Sequence, residues 1–294
     1  MKTIRTTIIL PLLLGALLAA AAPQSPHDEL PLPDLPATLR EPRARANYLL
    51  DHFWDALDFA DTLRARNSSL VEQAFANYIS VFPHADDAAR RASVRKLLRR
   101  AEADSAAYIL LTEIAETYLY EPESPMMSED YYILFLENMV SSPVLGKYGV
   151  LRPRRQLDAA RKNRPGMTAA DFSYTTPDGQ RTTLHDTPAE GPLLLIFYDP
   201  DCDHCREVMR TLEKELPTEG VTVLAIHSGD NYALWRETVR LLPAGWLAGY
   251  ESGAMQQAGR YVLRSMPTLY LLDNLKRVVL KDARPGQVAE TLQR

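Results

Sequence analysis

The chain has 294 residues, with 33 Lys and Arg against 38 Asp and Glu, a net charge of −5, and only two cysteines. An acidic balance speaks against nucleic acid as a partner, and two cysteines do not make the disulfide framework of a small stapled scaffold. At 46% hydrophobic and 24% charged residues the composition is that of ordinary globular chains, and the length allows two domains.

The N-terminus reads MKTIRTTIILPLLLGALLAAAAPQS. Lys2 and Arg5 precede an apolar run from Ile8 to Leu18, and the small residues Ala19–Ala22 follow. This is the pattern of a signal peptide over residues 1–22, and the run is too short to span a bilayer comfortably. No cysteine lies near the cleavage zone to carry a lipid anchor. The expected product is periplasmic or secreted, with no membrane span after signal cleavage. It keeps 31 basic against 38 acidic residues, a net of −7. Residues 23–42 are proline-rich and read as an extended leader.

From Arg43 the periodicity is helical. Leu49, Phe53, Leu57 and Ala60 fall on one face of a first helix. Ser68 or Ser69 is placed to cap a second, through Val71, Phe75, Tyr78 and Ile79 to Phe82, with Pro83 ending it. Further helices start near Asp86, Ser105 and Pro153, and a fifth carries Tyr132, Leu136 and Met139. The basic runs at 90–100 and 152–164 read as solvated helix faces. Residues 43–162 are therefore predicted as an all-α domain.

Strand signals begin after Pro165. A Pro-Asp-Gly turn at 177–179 separates two short strand-like runs, a hairpin signal. PLLLIFY (192–198) is a continuous apolar run, as a buried central strand requires. A helix over 205–216, a strand over 221–227, helical stretches over 232–242 and 254–263, a hairpin of 268–273 with 277–282, and a closing helix over 285–294 follow. The predicted fold is α+β in two domains: a helical N-terminal domain, then an α/β sandwich with a mixed central sheet over 163–294.

Both cysteines sit in YDPDCDHCRE (198–207), where the first buried strand gives way to a helix. The free N–H groups of the first helical turn face Cys202 and favour a thiolate there. Cys205, three residues on, is its neighbour on the helix at a separation that suits a disulfide. The outer sulfur can attack and the inner one resolve, which is dithiol exchange. A protonated His204 favours the anion, while Asp201 and Asp203 oppose it. Asp201 is also a candidate N-cap. Pro267 precedes a buried strand; a cis Met266–Pro267 bond would let this turn pack against the cysteines and leave the Met266 backbone free for an extended substrate.

Together, the leading hairpin with its Asp-Gly turn, the strand–CxxC–helix unit and Met266–Pro267–Thr268 before the closing hairpin resemble the thioredoxin-like superfamily. In particular they resemble the exported TlpA/ResA-type thiol–disulfide oxidoreductases, over about residues 163–294. The helical part resembles a domain of unknown function found beside such modules in exported bacterial proteins. The resemblance implies Cys202 as nucleophile, Cys205 as resolving thiol, and Pro267 as a cis-proline. It also implies a redox-active Cys202–Cys205 disulfide with no other cofactor or metal, protein thiols or disulfides as substrates, and a separate redox donor or acceptor. Asp201 and His204 stand where the family usually has Trp and often has Pro. Ile196 stands where thioredoxin has a buried Asp, so Asp199 or Asp203 is left to move protons. The alternative is a non-catalytic envelope binding module in which the cysteine pair is a structural disulfide. The isolated histidines (His27, His52, His84, His185, His227) read as surface or satisfied-core residues.

Overall fold

The computed structural model of the chain describes residues 29–217 and 219–293. The expected signal peptide and the first part of the expected leader lie outside them. The rest of the leader runs without helix or strand up to residue 41, and its Leu30 packs on the helical core. No helix among the described residues is long and apolar enough to cross a membrane.

Eight helices come first: α1 Pro42–His52, α2 Thr62–Ala65, α3 Ser68–Val81, α4 Asp87–Ala101, α5 Ser105–Leu119, α6 Glu129–Met139, α7 Gly146–Gly149 and α8 Leu151–Ala160. α6 is their centre. Tyr132, Ile133, Leu134, Phe135, Leu136 and Met139 are all buried, so it is apolar nearly all round, as a helix surrounded by others must be. One buried polar contact ties three of the helices: the Tyr78 hydroxyl meets Ser93 at 2.7 Å, and Ser93 donates to the Leu50 carbonyl, joining α3, α4 and α1.

Two helix assignments differ from expectation. The first helix stops at His52 instead of reaching Ala60, which is exposed. Arg100 of α4 donates to the carbonyls of Trp54 and Leu57. The chain turns there, with three-residue hydrogen bonds from Asp55 to His52 and from Leu57 to Trp54. The turn drops Phe53, Trp54, Leu57 and Phe59 into the core. The cap of α3 is Asn67 rather than a serine, with its side-chain oxygen accepting from the Leu70 N–H at 3.2 Å.

The second half contains β1 Ser173–Thr175, β2 Arg181–Thr183, β3 Leu193–Tyr198, α9 Asp203–Glu215, β4 Thr222–Ser228, α10 Tyr232–Thr238, β5 Leu247–Glu251, α11 Ala254–Gln257, β6 Thr268–Leu272, β7 Val278–Lys281 and α12 Pro285–Leu292. The strands form one mixed sheet in the order β2-β1-β5-β4-β3-β6-β7. β3, β4 and β5 run parallel, and the others pair antiparallel. β3 is buried on both faces: Leu193, Leu195 and Phe197 pack with Tyr261 and Tyr270, and Leu194, Ile196 and Tyr198 pack with α9 and Trp235. That double burial explains its unbroken apolar sequence.

β5 was not anticipated, and the helix expected over 254–263 is only α11. The sequence LAGYE hides a strand because Gly249 has no side chain to mark it. A Cβ there would stand 2.4 Å from Tyr174 Cδ2 and 2.5 Å from Ile226 Cδ1, so the glycine is a site of close packing across the sheet. Gly249→Ala is expected to destabilise the fold by about 1–3 kcal/mol, read as a lowered urea midpoint with an unchanged slope. The helix beyond α11 is cut short by Gly259, which has φ 61°, and the chain then extends to bury Tyr261.

Candidate redox site

β3 ends at Tyr198, in the middle of the sheet, and the next four residues form a tight turn into α9. The Cys202 N–H donates to the Asp199 carbonyl at 3.2 Å, and the Asp201 N–H to the Asp199 carboxylate at 2.9 Å. Arg206 reaches back to the Pro200 carbonyl at 2.6 Å and pairs with Asp203. The N-cap is Cys202 itself, not Asp201: its Sγ accepts the Cys205 N–H at 3.2 Å. A sulfur in this position collects the unpaired donors of the first turn.

The two thiols are free in this structure and differ in environment: Cys202 is partly exposed, whereas Cys205 is fully buried. Burial pushes the Cys205 thiol up to about 12. A hydrogen bond from the Asp199 backbone pulls it back, while Cys202 and the Asp199 charge add to the rise. Because this thiol ordinarily titrates near 9.0, its raised folded value contributes stability that is present below pH 9 and is lost as the pH climbs toward 12. Reduced protein is therefore expected to lose stability through that window relative to reduced Cys205→Ser, which has nothing to ionise. Paired melting curves at pH 8 and 10.5 measure this difference.

The Met266–Pro267 peptide bond is cis, and the Met266 carbonyl lies 3.8 Å from Cys202 Sγ, with the thiol as donor. The Met266 N–H has no hydrogen-bond partner among the described residues. The structure therefore brings Cys202, Cys205, Met266 and Pro267 together at the end of β3. His204 is exposed on the first turn of α9 and borders a cavity of about 250 Å³ with Pro267 and Val208. Asp201 is exposed. The Asp203 side chain is 96% exposed and pairs with Arg206. Asp199, by contrast, lines a second cavity, of about 560 Å³, together with Cys205, Tyr198 and Met209.

Three buried polar atoms behind the cysteines were not foreseen as a group. The Tyr198 hydroxyl and Trp235 Nε1 face each other without a well-formed hydrogen bond, and His227 Nε2 has no hydrogen-bond partner among the described residues. His227 is paired in register with Tyr198 on the neighbouring strand and faces the Tyr198 carbonyl at 3.4 Å. It is therefore a core histidine with one nitrogen unsatisfied. The signal in the sequence was two polar rings ending adjacent parallel strands, the edge of an α/β sheet where sites collect.

Residues 13–163 match a protein family described as a domain of unknown function, DUF5106. A solved structure of a thioredoxin-like protein from Bacteroides caccae ATCC 43185 is similar at 34% identity, covering 90% of this chain and 97% of that one with a TM-score of 0.82. A conserved protein of unknown function from Bacteroides fragilis is 36% identical over 44% of this chain and 98% of its own, with a TM-score of 0.41. The C-terminal domain of an uncharacterized protein from Bacteroides fragilis NCTC 9343 is 34% identical over 45% of this chain and 99% of its own, with a TM-score of 0.42. No curated protein matches the chain. The similarity to the Bacteroides caccae protein runs through both helices and sheet.

Proposed function

The chain belongs to the DUF5106 family and, by its likeness to a solved relative over nine-tenths of its length, to the thioredoxin-like proteins; from that premise we propose that it exchanges disulfides with protein thiols through Cys202 and Cys205. The observation that carries this reading is the asymmetry of the pair: one sulfur reaches solvent at the mouth of α9, and its mate lies fully buried one turn deeper. A structural clip has no need of that difference.

In the reducing direction the Cys202 thiolate attacks a client disulfide. A Cys202–client S–S bond forms, the client S–S bond breaks, and the first client sulfur leaves and takes up a proton. Cys205 then gives up its proton and attacks Cys202 Sγ. The Cys202–Cys205 disulfide forms, and the second client thiol departs. Two electrons and two protons pass to the client, and the oxidising direction is the reverse. The costly step is deprotonation of buried Cys205. Asp199 shares a cavity with it and is the proton acceptor within reach, in place of the buried acid replaced by Ile196. The unpaired Met266 N–H supports docking of an extended client segment beside Cys202.

The finer reading has the TlpA/ResA type as the nearest kind, residues 163–294 as the redox domain, and the cell envelope as the place of action. It is supported by the leading segment's sequence pattern and by the need for an external redox donor or acceptor to reset the pair. The test is reduction of insulin by dithiothreitol with the full mature chain as catalyst. Catalysed precipitation of the insulin B chain is expected. A rate equal to dithiothreitol alone would overturn the reading and favour a structural disulfide in a binding module.

A further inference from the structure

We propose that the loop of residues 120–128, which belongs to the helical region, is the client-selecting wall of the redox site, seating an apolar side chain next to the client's reactive cysteine. This rests on the exchange reading above and adds to it a role for the helices.

The loop between α5 and α6 is held in a defined shape. The Ser128 N–H donates to the Leu119 carbonyl at 3.0 Å, the Ser124 hydroxyl to the Tyr118 carbonyl at 2.6 Å, and the Met127 N–H to the Ser124 carbonyl at 3.2 Å. It is tied to the redox half at its start and at its middle. Arg264 donates to the Tyr120 carbonyl at 2.6 Å and lies over the Tyr120 ring at 4.2 Å, and Arg284 donates to the Ser124 carbonyl at 2.7 Å. Arg264 stands two residues before Met266, so the same side chain that anchors the loop also leads into the turn facing Cys202.

Between this loop and the redox pair lies the cavity of about 250 Å³. Pro122 and Met127 form its helical side, and His204, Val208, Pro267 and Pro285 its redox side. It lies beside the site: its lining residues His204 and Pro267 are the chain neighbours of Cys205 and Met266. Its volume falls below the roughly 300–1,000 Å³ of small-molecule sites, which favours a protein side chain over a cofactor. The cavity's two most buried charges, Arg264 and Asp282, are paired with each other. Glu123 and Arg284 also border it and, like His204, are exposed, while the prolines, Met127, Val208 and Leu269 supply the apolar lining. An aliphatic side chain beside the client cysteine suits that lining, and Glu123 disfavours an acidic one.

The experiment uses the full mature chain and two peptide disulfides that differ only in a Leu or an Asp next to the cysteine, with a small aromatic disulfide as a control on the wild type. The wild type is expected to prefer the Leu peptide by about tenfold in kcat/KM, the scale set by an apolar contact in a shaped pocket, mainly through KM. Met127→Asp is expected to bring the two peptides to near parity, and Met127→Ser to fall between. Circular dichroism establishes that each variant is folded, and Met127→Ser decides the matter if the aspartate variant is not. Absence of a preference in the wild type, or its survival in the folded variants, overturns the proposal. Failure of the wild type on the aromatic disulfide as well as on both peptides instead brings down the exchange reading, and the proposal with it.

Discussion

Cys202→Ser is expected to lower disulfide exchange to the uncatalysed rate, while Cys205→Ser accumulates a mixed disulfide with its client. The two substitutions look alike in sequence and separate in outcome because the sulfurs occupy different places. Cys202 caps α9 with its Sγ accepting the Cys205 N–H, and it opens to solvent next to the Met266 carbonyl. A serine oxygen there can cap the helix but cannot form a bond to sulfur, so the first step is lost and the fold is kept. Its melting temperature should stay close to that of the reduced wild type. Cys205 is fully buried and meets no client directly. With serine in its place Cys202 still attacks, but nothing resolves the adduct. Non-reducing electrophoresis of each variant after mixing with insulin shows a covalent band for Cys205→Ser and none for Cys202→Ser.

Arg264→Met is expected to cost about 3 kcal/mol or more of stability, a far larger effect than any exposed pair would show. Arg264, Glu129, Lys281 and Asp282 have side chains only 10–14% exposed. They alternate in sign: Arg264 contacts Asp282 and lies 3.4 Å from Glu129, and Glu129 lies 2.6 Å from Lys281. Glu129 comes from α6 and the other three from around β6 and β7, so the cluster joins the helices to the sheet. Removing the arginine leaves two buried carboxylates facing one lysine, and breaking a buried pair in this way costs about 3–5 kcal/mol. The contact with the Tyr120 ring, about 0.5–2 kcal/mol, goes with it. Asp282 also sits at φ 50°, a left-handed conformation that aspartate tolerates better than most residues. The exposed pair Arg277–Asp273, with the arginine side chain 54% exposed, gives the contrast: Arg277→Ala should cost no more than about 1 kcal/mol.

The pH dependence of that deficit has a definite sign. Burial already pushes the Glu129 carboxyl above its ordinary 4.5, against the downward pull of Lys281 and Arg264. Without Arg264 the rise grows. A carboxyl whose folded value is raised favours the folded state when protonated, a contribution present at low pH and lost as the pH rises through the folded value. The gap between Arg264→Met and wild type should therefore be widest at neutral pH and narrow as the pH falls toward 4.5. Denaturant unfolding at pH 7 and pH 5 measures it.

Much of this was legible because short-range rules set it. PLLLIFY had to be a central strand since no exposed face could hold six apolar side chains in a row. A cysteine directly after it, at the start of an amphipathic helix, then had to meet the helix's free N–H groups. Pro267 could be placed because a proline at a strand start cannot join the ladder. What escaped was set by contacts distant in sequence. Arg100 ends α1 from more than forty residues away. β5 carries a glycine because Tyr174 and Ile226 fill the space above it. Glu129 and Arg264 lie far apart in the chain, and each alone reads as an ordinary surface charge. His227 and Tyr198 become neighbours only once β3 and β4 pair in register.

The equilibrium of the pair with a thiol buffer of known potential tests the central claim most directly: that one reachable sulfur and one buried sulfur make an exchanging couple. Titrated at neutral pH and read by alkylation and mass spectrometry, the couple is predicted to be half-reduced at a potential above about −300 mV, in the range of exchange proteins. A midpoint well below that value, with the pair oxidised in every cellular thiol buffer, is the behaviour of a structural disulfide and would contradict it.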